Sequence, residues 1–506
     1  MRVTYGIDAG ARKRGETVPV EWDSTRAVNG HCLMVGMSGA GKTYTLRKMI
    51  RQMISTSGNR RIRVHIFDVH GDIAIDGESE VMFSEQTRYG LNPLKINPDP
   101  HFGGVRKRVQ GFMATMNRVM RQLGPKQEAA LRNILLDVYD RFGFRQNDPA
   151  TWAVDSDAPE LISDGSDGRL YIDVPLAEKD EAKALGARWD PVAKCWFVQA
   201  EDYRDGITRW PPKLRTRTHP SIADALRMAR HILQMSFLGT GIEAITNLEI
   251  ANRAAGAYQR KLMEALRRGD KAFEDEKLES ELDRAKQKSI ESYTAYAESI
   301  ITGRELTDVM KYDSTDVLKS VVDRLENLDA IGVFKPTTPP FDPGSQVWRY
   351  NIRALSKEEG KLFVLFKLEE LFWAALQRGD QDDVVDVLVV DEAHRYADDD
   401  EENIINTIAK EGRKFGLALV CASQSPTHFS DDFLASVSTK IVLGIDEMFW
   451  RGAAAKMRLS EDALKWIVTH KSLLAQIKRK GETRNDWVWT LIENDQSAIR
   501  RAVAVG

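Results

Sequence analysis

His31-Cys-Leu-Met-Val-Gly36 is a short apolar run ending in glycine, and it leads into Met37-Ser-Gly-Ala-Gly-Lys-Thr43 and then the helical texture of residues 44–53. Strand, glycine-rich loop and helix therefore follow one another directly. Gly36-Met-Ser-Gly-Ala-Gly-Lys-Thr43 fits G-x-x-x-x-G-K-[ST], in the context that identifies a phosphate-binding loop. Small residues let backbone N–H groups wrap phosphates at a helix N-terminus. This assigns Gly36, Ser38, Gly39, Ala40, Gly41, Lys42, Thr43 and Tyr44 to nucleotide binding. Lys42 neutralises the β and γ phosphates of ATP, and the Thr43 hydroxyl ligates Mg²⁺.

Further along the chain, Val384-Val-Asp-Val-Leu-Val-Val390 is nearly continuous in apolar residues, as a strand buried on both faces requires. It delivers Asp391-Glu392 at its end. Hydrolysis needs one carboxylate for the metal's water shell and another for the attacking water, so Asp391 is assigned to magnesium and Glu392 to catalysis. Asp391-Glu-Ala-His394 also spells the box of another helicase superfamily, whose Q-x-x-G-R-x-x-R element is absent; His394 reads as a helix-start residue. Ser423-Gln424 follows the next apolar strand, where P-loop motors keep a polar side chain that senses the γ-phosphate or its water. Arg413, within Glu411-Gly-Arg-Lys-Phe-Gly416, reads either as an arginine finger reaching a neighbouring subunit or as a surface arginine. Asp68 and His70, at the tip of the strand Arg63-Val-His-Ile-Phe-Asp68, either face the site or belong to a plain turn.

Strands at 347–352, 384–390, 417–423, 440–445, 473–477 and 487–492 are separated by helix-length segments. That alternation predicts an α/β fold with a mainly parallel sheet and right-handed crossovers. The expected organisation is an N-terminal part of the core at 1–146, a small inserted α+β domain at 165–212, a helical insertion at 217–330 and a C-terminal part of the core at 345–506. A Ser/Gly/Asp/Pro-rich linker at 147–168 precedes the small domain. Within that domain, Leu170-Tyr-Ile-Asp-Val-Pro175 and Cys195-Trp-Phe-Val198 read as strands and 178–185 as a helix, with turns at Gly186 and Asp190-Pro191. Trp189, Trp196 and Lys194 either stack on and pair with exposed nucleotides or simply form a tiny core. Residues 105–123 form an amphipathic helix whose Arg106, Lys107, Arg118 and Arg121 read as a solvated face. The charged stretch 247–302 predicts long helices, as an arm, a lid or a bundle.

The 506 residues hold 72 Lys+Arg against 75 Asp+Glu, a balance that excludes a protein coating nucleic acid over its whole surface and leaves room for a local basic pore. Cys32, Cys195 and Cys421 stand alone, without C-x-x-C spacing, so neither a disulfide framework nor a zinc site is expected and a reducing cytoplasm fits. The apolar stretch 362–377 is interrupted by Lys367, Glu369 and Glu370, and there is no signal-peptide run; a soluble, cytoplasmic protein without membrane contact is expected.

Together, residues 29–43, Asp68-Val-His-Gly71, Asn92-Pro-Leu94, Val390-Asp-Glu-Ala-His394, Glu411-Gly-Arg-Lys-Phe-Gly416 and Ala422-Ser-Gln424 resemble the HerA family of hexameric DNA translocases within the HerA/FtsK clan. The resemblance implies a RecA-like P-loop NTPase core, a homo-hexameric ring with ATP sites between subunits, and double-stranded DNA threaded through a basic pore. It also implies an effector partner, a nuclease or a sirtuin-type NADase, in end resection or antiphage defence. The family's catalytic roles fall on Lys42, Thr43, Asp391, Glu392 and Gln424, and on Arg413. The 35 residues before the P-loop are too few for the N-terminal β-barrel of many HerA proteins. The segment 170–198 lies outside the family pattern; it resembles a small uncharacterised domain attached to DNA-processing proteins and, faintly, the Trp/Tyr-rich module of annealing helicases. A ring that scaffolds an effector without moving DNA shares every motif. Conjugative and secretion ATPases of the clan bring membrane-docking parts that are not seen, and an ABC signature is absent.

Overall fold

Short apolar runs bounded by glycine and polar turns become the strands of one eleven-stranded sheet. In chain order these are β1 Arg2–Asp8, β2 Pro19–Asp23, β3 Cys32–Val35, β4 Arg63–Asp68, β5 Ser79–Met82, β6 Val347–Asn351, β7 Asp386–Val390, β8 Leu417–Ser423, β9 Thr439–Val442, β10 Ser472–Ile477 and β11 Val488–Leu491. The spatial order is β2-β1-β11-β10-β9-β3-β8-β7-β4-β6-β5. The six pairings from β5 to β9 are parallel. The four from β9 to β2 are antiparallel. This computed structural model describes all residues except 59–60, 155–159, 162–168, 192–193, 216–217, 239–241, 270–272, 299–310, 313–314, 484 and 494–506.

The sheet belongs to the first of two compact units, Met1–Leu91 with Arg118–Met120 and Ile331–Gly506. Its mixed α/β, mainly parallel character is the one expected. The sequence reading placed no element before residue 31, however. β1 and β2 extend the sheet beyond β11 as an antiparallel edge, and Val3, Tyr5, Val20 and Trp22 add to its core. β7 and β8 lie inside the sheet, and Val387–Val390 and Leu417–Ser423 are buried, which is why their sequences carry almost no polar residue. Helix α1, Lys42–Ser55, lays Leu46, Met49, Ile50 and Met53 on Cys32, Met34, Ile66 and Val420. That spacing of 3, 1 and 3 is one face of a helix, and burying each side chain contributes about 1.5–3 kcal/mol. Helix α2, Lys357–Arg378, starts in a Ser356/Glu359 capping box, stops at Gly379 and packs Phe363 on Phe83 and Tyr350.

The second unit, Asn92–Asn117 with Arg121–Ala330, is mainly helical. Helices Pro125–Arg141, Ile222–Leu238 and Thr315–Ala330 pack on one another, and Ile242–Arg267 pairs with Glu276–Glu298 as a long hairpin. The helix expected at 105–123 spans Val105–Val119. Its basic residues are not uniformly solvated: Arg118 is largely buried and pairs with Asp398 and Asp400. The same unit holds a three-stranded antiparallel sheet, Arg169–Ile172, Cys195–Gln199 and Arg188–Asp190 in spatial order, with the short helix Lys179–Ala184. Asp190, read as a turn residue, ends a third strand instead. Part of the 147–168 linker and part of the 247–302 helices lie outside the described residues. No helix among the described residues is long and apolar enough to cross a membrane.

Candidate active site

β3, β8, β7 and β4 are consecutive and parallel, so the segments that follow them leave the sheet at the same edge. Four stretches far apart in sequence meet there: the P-loop, Ser423-Gln424, Asp391-Glu392 and the turn at residues 68–73.

The P-loop is tied at its start by Gly36 N–H to the Ser423 carbonyl (3.0 Å) and Met37 N–H to the Gly444 carbonyl (2.8 Å). Gly39 and Gly41 take positive φ, 77° and 94°, which non-glycine residues adopt only at a cost. Lys42 Nζ donates to the carbonyls of Gly36 (2.7 Å) and Met37 (3.3 Å). Ser38 and Gly39 are exposed, Ala40 is buried, and Tyr44 stands exposed on the first turn of α1.

Thr43 Oγ1 donates to Asp72 Oδ2 at 3.3 Å. Asp68, Asp72 and Asp391 each offer a carboxylate oxygen within 4.8 Å of the others. Burial, helped by the adjacent Glu392 charge, raises the Asp391 carboxyl to about 6. Hard oxygen donors whose mutual repulsion a cation would relieve are the donor set Mg²⁺ takes, so these residues fit that ion. Asp72 was missed in the sequence because one more acid in a polar turn carries no signal until the fold sets it beside Thr43.

Glu392 is buried and sits in the left-handed region at φ 47°, a strained conformation for a residue with a side chain. Gln424 Nε2 donates to its Oε2 at 3.3 Å. His394 Nδ1 approaches the same oxygen at 3.2 Å without hydrogen-bond geometry, and His70 Nε2 lies 3.9 Å from Oε1. Burial keeps the His394 imidazole below its usual range despite the Glu392 charge. His394, read as a helix-start residue, thus lies against the glutamate.

Asp68 does not project as a free acid. Its Oδ1 accepts from the N–H groups of His70 (3.2 Å), Gly71 (2.7 Å) and Asp72 (3.3 Å), and its Oδ2 from Ile73 N–H (3.0 Å) and Arg349 Nη1 (3.1 Å). It organises the turn that presents Asp72 and His70. Arg349 of β6 was also missed, as was His470, whose Nδ1 lies 3.1 Å from where a Cβ on Gly41 would sit.

Arg413 is not brought to this edge. It lines a cavity of about 760 Å³ with Asn29, Gly30, Asp383, Val384 and Leu417, residues at the starts of β3, β7 and β8. Seven residues of β8, at about 3.3 Å each, put roughly 20 Å between that end and Gln424. Within one chain it cannot reach the P-loop's phosphates.

Residues 7–105 match the sequence model of the helicase HerA central domain. This part of the core is similar to HerA helicases. Residues 169–212 match a domain of unknown function, DUF5710. The DNA double-strand break repair helicase HerA of Pyrococcus furiosus is 44% identical over 63 residues, 12% of this chain and 11% of that protein. A DNA primase TraC of Escherichia coli is 59% identical over 57 residues, 11% of this chain and 5% of that protein. The chain thus matches about a tenth or less of the length of these curated relatives. VirB4 of Thermoanaerobacter pseudethanolicus superposes with a TM-score of 0.55 at 15% identity, over 97% of this chain and 96% of that one, a likeness of fold.

Proposed function

We propose that the HerA-type core hydrolyses ATP with Mg²⁺ and uses the turnover to translocate double-stranded DNA, as a homo-hexamer with each site completed by a neighbouring subunit. The observation that carries this reading is Glu392, held buried beside the P-loop edge in a strained backbone and hydrogen-bonded to Gln424. Lys42 and the loop N–H groups bind the phosphates. Thr43 and Asp391, with Asp72, hold Mg²⁺, which supplies charge neutralisation of the phosphates. Glu392 accepts the proton of the attacking water, and Gln424 fixes the carboxylate and senses the γ-phosphate. Arg413 lies at the far edge of its own sheet, and in the ring it serves the neighbour's nucleotide. The ring acts in the cytoplasm with an effector protein, a nuclease or a sirtuin-type NADase, in antiphage defence; that setting rests on the family resemblance.

The test is steady-state ATP hydrolysis by the chain and its Glu392→Gln variant, with and without linear duplex DNA, together with the mass in solution. The expected result is turnover that duplex DNA stimulates, lost at least a hundredfold in the variant, from a particle of six subunits. Turnover indifferent to DNA would replace the translocase with a ring that scaffolds its effector.

A further inference from the structure

The three tryptophans of the small domain have three different environments. Trp210 is 2% exposed, its indole N–H donates to Glu178 at 2.7 Å, and it closes the core with Leu170, Ile172, Ala182, Val198 and Ile207. Trp196 is half-buried at the rim of that core. Trp189 is 49% exposed and takes no part in the core, although it lies directly across the strand pair from Trp196. The two rings meet at 5.6 Å and 68°, so they make a corner rather than a slab. Neither indole N–H has a hydrogen-bond partner among the described residues.

The domain's other sheet face carries Tyr171, Cys195 and Phe197. There the fully buried Asp190 accepts from Tyr171 Oη (2.8 Å), Arg141 Nη1 (2.9 Å) and Arg169 Nη1 (3.4 Å), which anchors the domain to helix Pro125–Arg141. The acids on the core side, Glu178 and Glu181, are paired with Arg209. Beside this strand pair, Lys194 is exposed in the turn at φ 50° and makes no ion pair among the described residues; Arg188, also exposed, lies across from Phe197 and so belongs to the other face. An exposed indole corner with an unpaired lysine in the adjoining turn combines the two elements that bind single strands: a π-face for any base and positive charge for the backbone. Bases inside a duplex are stacked on each other and do not present their faces to such a corner.

We propose that Trp189 and Trp196, with Lys194 in the adjoining turn, form a stacking site for unpaired nucleotides of a single-stranded nucleic acid. It shares no residue with the nucleotide site and does not depend on the hydrolysis reading. The test is fluorescence anisotropy of a labelled oligothymidylate titrated with the full chain at low salt, with ATP turnover measured on the same preparations. Trp189→Ala is expected to weaken binding by roughly 5- to 150-fold, as loss of one stacked base does. Trp189→Phe retains most of the affinity. Lys194→Glu, at an exposed position that cannot perturb the core, weakens binding and flattens its salt dependence. ATP turnover stays unchanged in all three. No binding by the unaltered chain, or unchanged affinity in both Trp189→Ala and Lys194→Glu, overturns the proposal. Equal loss of duplex and single-strand binding overturns it too, and capture of a polypeptide at Trp189 without oligonucleotide binding would make the corner a protein-docking site.

Discussion

Replacing Arg349 by methionine probes the least visible support of the site. The guanidinium is 5% exposed and its partners are all carboxylates: Asp68 at 3.1 Å, Glu78 at 2.7 Å and Glu80 at 2.7 Å. Methionine keeps much of the length and apolar contact and removes only the charge. Glu78 and Glu80 retain 12% and 41% exposure and can turn to water, whereas Asp68 is fully buried and cannot. Taking one partner from a buried pair costs about 3–5 kcal/mol because the other charge is left uncompensated. Four backbone N–H groups still solvate Asp68, so the cost falls at the low end, about 3 kcal/mol. Chemical unfolding followed by tryptophan fluorescence measures it. The turn that carries Asp72 and His70 hangs on the same carboxylate, so ATP turnover should fall more than nucleotide affinity. Arg349→Lys restores the charge without the planar fork and should recover only part of either. A stability loss under about 1 kcal/mol with normal turnover would refute the view that Asp68 organises this turn through Arg349.

Two further outcomes follow from the geometry. Gly41→Ala forces a side chain into φ 94° and against His470 at 3.1 Å; the strain, about 1–3 kcal/mol, should appear as roughly 5- to 150-fold weaker nucleotide binding, and unaltered affinity would mean the loop relaxes freely. Burial pushes His31, His219 and His231 each down to about 4. In the unfolded chain these groups take up protons below about 6.5, while in the folded chain they stay neutral, so stability holds above that pH and declines as pH falls from 6.5 toward 4, by up to about 1.4 kcal/mol per pH unit for each group. Unfolding midpoints at pH 7.5 and pH 5 measure the decline, which should be shallower in His31→Gln; a midpoint that rises on acidification contradicts the assignment.

Much of the core was legible because each motif sits where a buried parallel strand ends. The continuous apolar runs at 384–390 and 417–423 have no reading other than buried elements, and the residues that follow them inherit the edge of the sheet. What was not legible depends on strand order. Arg349 and Asp68 are 281 positions apart and meet only because β6 pairs with β4. Asp72 gains meaning from Thr43, 29 positions away on another element. β1 and β2 have ordinary strand texture, but nothing in it reveals that they pair beyond β11 at the other end of the chain. In the small domain, Trp189 and Trp196 read alike in the sequence, and only packing sets Trp196 at the rim of the core and Trp189 at the surface.

The sheet polarity that gathers the motifs also leaves their charges unequal. Asp68, Asp72, Asp391 and Glu392 crowd one edge. Arg349 is engaged by Asp68, Glu78 and Glu80, and Arg47 by the Asp72 carbonyl. Lys42 is the cation of the P-loop itself. Transfer of a γ-phosphoryl group spreads negative charge over its oxygens, and such a transition state is stabilised by positive charge placed beforehand. In the proposed reaction, the four acids and the phosphates together carry more negative charge than Lys42, Arg353 beside Gly71 and Arg395 just after Glu392 can neutralise. A divalent cation among Thr43, Asp72 and Asp391 offsets part of the difference. Under the proposed ring, Arg413 of a neighbouring copy, which lies roughly 20 Å from its own Gln424 at the opposite end of β8, would supply more of it. If the proposed ring forms in this way, turnover per subunit rises with assembly while nucleotide binding does not.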